Sequence, residues 1–221
     1  MKVVGCVTVG GLMLVGVSTA AAQVAEVIKR YWVDQSAGVS VAFPTGDPLR
    51  TFSPSIRQPE GDQVLIMQRP LLMSERAVDP ILAGVTVCTM RKRYVDQGAM
   101  LQRLLQESLA AGDGGKAYGQ RRCETAIYGQ GATEKVFYGT AIEQRPDGLR
   151  ETCTAAYTLP AGGDFPRLVS QSTIFTAGGH GYELQCTMSV KSESASTLYW
   201  AKQARDIKAI ADSIARLPAT P

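Results

Sequence analysis

His180 is the residue whose type and setting most resemble a catalytic group. It sits in Gly178-Gly179-His180-Gly181, where a glycine-rich hairpin would let a substrate reach the imidazole and let the ring act as a general base. A hairpin tip is equally a place where a polar side chain simply meets water. No G-x-S-x-G, H-E-x-x-H or phosphate-binding loop accompanies it, so no catalytic residue is assigned. It is the only histidine in the chain, which leaves no material for a multi-histidine metal site; no metal and no cofactor are expected. The acidic residues Glu124, Glu134, Glu143, Glu151 and Glu183 are spread singly over separate segments and read as solvated strand faces, with no carboxylate pair to assign.

The cations are more suggestive. Arg91-Lys92-Arg93 follows Cys88 by three residues, and Arg121-Arg122 directly precedes Cys123. If those two cysteines were bonded, five cations would converge on a site able to hold a phosphate, a lipid headgroup or an acidic protein surface, with arginine forks making bidentate contacts. The plainer reading is solvated charge at strand ends.

What the cysteines do depends on the compartment. Lys2 opens a short basic region, residues 3–17 are apolar, and Ser18-Thr19-Ala20-Ala21-Ala22 supplies the small residues of a cleavage site before Gln23. This is the pattern of a signal peptide over residues 1–22, with residues 23–221 as one mature domain. No later stretch of the mature chain is long and apolar enough to span a membrane, so a periplasmic or secreted soluble protein is expected. There Cys88, Cys123, Cys153 and Cys186 would form two disulfides, with three connectivities open. Cys153 and Cys186 share parity with the apolar positions of their strands, which favours Cys153 with Cys186 and leaves Cys88 with Cys123.

The composition suits a globular chain: 221 residues, 45% hydrophobic, 19% charged, with a mean hydropathy of -0.03. A net charge of +3 is too small for a nucleic-acid binder that uses its whole surface, and 7% aromatics gives no stacking platform for single strands.

These residues must be positioned by alternating strands and two helices. Residues 30–34 and 38–43 read as paired strands, with Pro44, Pro48, Pro54 and Pro59 holding the following stretch in turns and edge structure. Strands are expected at 64–68, 84–90, around Val136, Tyr138 and Ile142, and at 149–159. There Leu149, Cys153, Ala155 and Tyr157 face in, against Arg150, Thr152, Thr154 and Thr158. A hairpin follows over 168–176 and 182–190. Leu101, Leu104, Leu105 and Leu109 predict a helix over 95–111 that Gly112-Asp113-Gly114-Gly115 stops. A second helix over 197–217, capped by Ser194 or Ser196 and closed by Pro218, would bury Trp200, Ala204, Ile207, Ile210, Ala211, Ile214 and Leu217, with Trp200 as a core anchor.

The strand Gly38-Val39-Ser40-Val41-Ala42-Phe43-Pro44, with Pro48 shortly after, resembles the early strand of the Mog1/PsbP/DcrB-like superfamily. Ala211-Asp212-Ser213-Ile214-Ala215-Arg216-Leu217 is similar to that family's closing helix. Four cysteines depart from the family pattern. The resemblance implies an α+β fold, an antiparallel sheet flanked by two main helices as an α/β/α sandwich, and a noncatalytic accessory role; it supplies no catalytic residues. The expected function is an exported binding or accessory protein of the bacterial cell envelope, whose partner is an envelope protein or an anionic ligand rather than nucleic acid. The alternative is a small periplasmic or secreted hydrolase using His180.

Overall fold

The computed structural model describes residues 29–34, 37–44, 52–55, 59–73, 81–146, 148–160 and 163–216. The expected leader over 1–22, Pro48, Leu217 and Pro218 lie outside them. In chain order the elements are β1 (Lys29–Asp34), β2 (Val39–Pro44), β3 (Ser53–Pro54), β4 (Gln63–Leu72), β5 (Leu82–Lys92), α1 (Val95–Ala110), α2 (Asp113–Ile127) and β6 (Thr133–Arg145). They continue with β7 (Gly148–Thr158), β8 (Arg167–Ala177), β9 (His180–Val190), α3 (Glu193–Asp212) and β10 (Ala215–Arg216).

The large sheet is antiparallel, seven strands in the order β3-β4-β5-β9-β8-β7-β6, and a small sheet runs β1-β2-β10. Pro54 lies in the two-residue edge strand, where its missing N–H costs no ladder bond. The β8–β9 hairpin turns on Gly178 and Gly179, with φ of 54° and 80°; two successive positive φ values suit the right-handed twist of the flanking strands and favour glycine.

Directly opposed residues in an antiparallel sheet point to the same face. Cys153 opposes Ser172, which opposes Gln185, so Cys153 projects to one face and Cys186 to the other. The expected bond between them is therefore excluded by the pleat, and with it the bond between Cys88 and Cys123. The disulfides are instead Cys88–Cys186, directly opposed on β5 and β9 with Cα atoms 4.0 Å apart, and Cys123–Cys153, which ties α2 to β7 at 5.8 Å. Each face of the sheet has its own covalent tie. Both faces of the central strands are covered, so an apolar parity does not say which face it serves.

Among the described residues there are three helices rather than the two main helices expected. Gly112 does end α1, but Asp113 opens a further helix, α2, rather than prolonging a loop. Over residues 117–127 its buried positions are Gly119, Cys123 and Ile127, a one-residue-wide stripe at i, i+4, i+8. Helices α1 and α2 lie over the Cys153 face. There Cys123 and Ile127 pack with Cys153, Ala155 and Tyr157. Leu109, expected in the buried stripe of α1, is 45% exposed. Gly98 of α1 lets the helix backbone come down on Gly179 and His180 of the hairpin, where any Cβ would collide with main chain.

Helix α3 packs on the Cys186 face, with Ile207, Ile210 and Ala211 against Met67, Cys88, Leu184 and Cys186. Trp200 packs, partly buried, at the edge of this core. Ser192 rather than Ser194 or Ser196 caps the helix, its Oγ accepting from the Ala195 N–H at 3.3 Å. The helix stops at Asp212, because residues 215–216 pair with β2 instead. Arg150, expected on a solvated face, is 6% exposed and donates to the Ala211 and Ile214 carbonyls at 2.8 and 2.6 Å, satisfying groups left open at the helix end.

Candidate functional site

The face under α1 and α2 carries a cross-strand row that sequence reading missed. On β9, β8, β7 and β6 the residues Glu183, Ile174, Glu151 and Ile142 are directly opposed in succession, with Arg91 of β5 opposite Glu183. Glu183 and Glu151, read from sequence as solvated, are each 2% exposed. A carboxylate this deep needs a cation and hydrogen bonds to remain charged. Arg122, next to Cys123, and Arg91 and Arg93, shortly after Cys88, supply them.

Glu151 accepts two bonds from Arg122, from Nε at 2.9 Å and Nη2 at 2.7 Å, and the same Nη2 also donates to Ser108 Oγ of α1 at 3.1 Å. One guanidinium thus joins α2, α1 and β7. Glu183 accepts from Ser172 Oγ at 2.9 Å and from Arg93 Nη2 at 3.2 Å, with Arg91 Nη1 3.6 Å away. Between the two carboxylates, Ile174 is left only half covered.

Above Ile174 is a groove of about 460 Å³ between α1 and α2, apolar along Met100, Leu101, Leu104 and Ala126 and edged by Arg93, Arg121 and Arg122. Gln97 and Thr125 also line it, and among the described residues no acidic side chain does. Arg93 and Arg122 are held from below by the buried glutamates. Arg121 is exposed, its guanidinium 5.1 Å from the Tyr118 ring centroid, and makes no ion pair with a carboxylate among the described residues. The volume falls within the roughly 300–1,000 Å³ usual for small-ligand sites.

Three of the five cations expected to converge therefore do so, although the disulfide that was to bring them together does not form. Arg91 stays in the sheet between Glu183, Gln185 and Asp62. Lys92 points to the opposite face, where its Nζ donates to Asp34 Oδ2 at 2.6 Å. Tyr182 donates to the same oxygen at 2.8 Å; burial first, then the Asp34 carboxylate, pushes this phenol well above its ordinary value.

His180 begins β9 beside the hairpin turn. Its Nδ1 lies 3.1 Å from the Arg93 carbonyl and its ring packs edge-on near Tyr182, with centroids 6.4 Å apart. Among the described residues no nucleophile or carboxylate hydrogen-bonds to it, and it does not line the groove. No group of three potential metal ligands occurs among the described residues.

Fold and site together describe an α+β protein with a large antiparallel sheet, two disulfides and an arginine-edged groove. No helix among the described residues is long and apolar enough to cross a membrane. No protein-family model and no curated protein matches the chain. Among solved structures it is similar to the solution structure of cyanobacterial PsbP (CyanoP) from Synechocystis sp. PCC 6803. The two are 9% identical, the match covers 89% of this chain and 97% of that one, and the TM-score is 0.42. Nothing about family, ligand or partner follows from this likeness.

Proposed function

We propose that the chain is an exported accessory protein of the bacterial cell envelope that binds rather than catalyses, with the α1–α2 groove as its binding site for an anionic ligand. The observation that carries this reading is the arrangement of charge at the groove. Three guanidiniums reach a largely apolar, water-accessible concavity, and two of them are fixed in orientation by glutamates buried beneath. Fixed cations at an apolar surface suit an anion, since the donors are preorganised and lose little freedom on binding. Export is supported by the leader pattern of residues 1–22 and by two disulfides that would persist in an oxidising compartment.

Two measurements test the reading. Intact mass of protein recovered from a bacterial host's envelope fraction should give a chain starting at Gln23, whereas a mature species retaining Met1 removes the export argument. Titration with inorganic phosphate, followed by the arginine Nε–Hε NMR signals, should move Arg93, Arg121 and Arg122 ahead of the exposed Arg103 and Arg205. Equal shifts at all five would mean that the groove does not select anions.

A further inference from the structure

The groove reads more than charge. Resting on its identification as an anion site, the geometry points to a single-chain anionic amphiphile of the fatty-acid class as its ligand, the head on Arg121 and the tail along Leu101, Leu104, Ala126 and Ile174.

Three features of the groove lead there. Its cations are confined to the edge while the surface between them, Gln97 and Thr125 apart, is hydrocarbon, a division that matches a molecule with one charged end. A free phosphate would use the edge alone and leave the apolar surface wet.

Along most of their length the walls, moreover, offer no main-chain partners. Leu101 and Leu104 lie inside α1, where the backbone is hydrogen-bonded along the helix, and only the last turn of α2, which holds Ala126, leaves carbonyls without a helical partner. Ile174 lies in β8, which is paired on both sides, with β7 and β9. An extended peptide would bury amides here without partners, at a cost an alkyl chain does not incur.

Size argues in the same direction. One turn of a helix about 10 Å wide and 5.4 Å high already fills roughly 420 Å³, so a groove of about 460 Å³ holds little more than a single turn. Arg121 suits the head because among the described residues it pairs with no carboxylate, whereas Arg93 and Arg122 are each shared with a glutamate.

Calorimetric titration of the full chain with acetate, octanoate, decanoate and dodecanoate, all below micelle-forming concentrations, tests this. Affinity should rise with chain length, by up to about fourfold for each methylene fully buried. Arg121→Glu, at an exposed position, should weaken dodecanoate about tenfold or more while leaving the melting temperature unchanged. Ala126→Trp should block the tail and flatten the chain-length series; Met100→Trp, at a side chain 58% exposed, does the same job should the first variant fold poorly.

Acetate binding as tightly as dodecanoate would overturn the amphiphile and leave the anion site standing. Dodecyltrimethylammonium binding as well as dodecanoate would overturn the anion site itself, as would no binding by any anion. Binding only to vesicles of anionic phospholipid, with free dodecanoate ignored, would replace the single-chain ligand by a membrane surface.

Discussion

The two faces of the seven-stranded sheet are built for different tasks. On the α3 face the largest cluster of buried apolar side chains closes around Cys88–Cys186, and its buried arginines are spent inside the protein: Arg150 on the end of α3, Arg69 on Asp206 and Gln203. On the α1–α2 face the core is smaller, two glutamates are buried between strands, and the arginines that neutralise them remain within reach of solvent. Burying a charge usually weakens a fold relative to packing hydrocarbon of the same volume. Both faces carry that cost, but on the α3 face the buried charges are arginines consumed within the protein, whereas on the groove face they are carboxylates whose arginines stay open to solvent, which arranges that face to present cations.

Substitution should separate the faces. The largest loss is expected from Ile210→Asp on α3: Ile210 is fully buried, and an unpaired carboxylate there should cost on the order of 5 kcal/mol in urea unfolding. Unchanged stability would show that the stripe of α3 does not face the core. The two disulfides come next and should differ. Cys88–Cys186 closes 98 residues and Cys123–Cys153 closes 30, so alanine pairs should cost about 4.7 and about 3.6 kcal/mol respectively in the chain-entropy account. The smaller loss should be accompanied by weaker anion binding, because the second bond seats the helix that carries Arg121 and Arg122.

Arg122→Met should cost about 3 kcal/mol by leaving Glu151 buried without its partner, and Arg122→Met with Glu151→Leu should recover most of it. If the double variant were as unstable as the single one, Arg122 would matter for packing rather than for the charge of Glu151.

The smallest effect belongs to Asp212 at the end of α3. Burial opposes its charge, but hydrogen bonds from Lys208 and Arg145 outweigh this and hold its carboxyl below the ordinary value of 3.8. Its contribution to stability is then present above the unfolded value and lost as pH falls through the lower folded one. Asp212→Asn should lower stability slightly near neutrality and flatten the acid limb of the stability profile, without touching anion binding.

Much of the sheet was legible in the sequence because strands of alternating parity between turn residues leave a strong pattern, as Tyr182, Leu184, Cys186, Met188 and Val190 do. Helix α2 was not legible, since its buried stripe is a glycine, a cysteine and one isoleucine, and it begins in a segment whose glycines read as a stop. The same limit hid Glu151 and Glu183. Alternation distinguishes two faces of a strand but cannot say that both are covered, and Glu151 shares the parity of Leu149, Cys153 and Ala155, the one signal that could have placed it inside. Convergence of Arg93 with Arg121 and Arg122 was anticipated, on a disulfide that does not exist; they reach one groove because Arg93, just before α1, and Arg122 in α2 pair with Glu183 and Glu151 of the same cross-strand row.

Hydrogen exchange of the full chain with and without dodecanoate tests the division between the faces most directly. The account predicts added protection confined to α1, α2 and the segment around Arg93, with α3 and its facing core unchanged and the effect abolished by Arg121→Glu. Protection spread over α3, or the same protection in the Arg121→Glu variant, would contradict it.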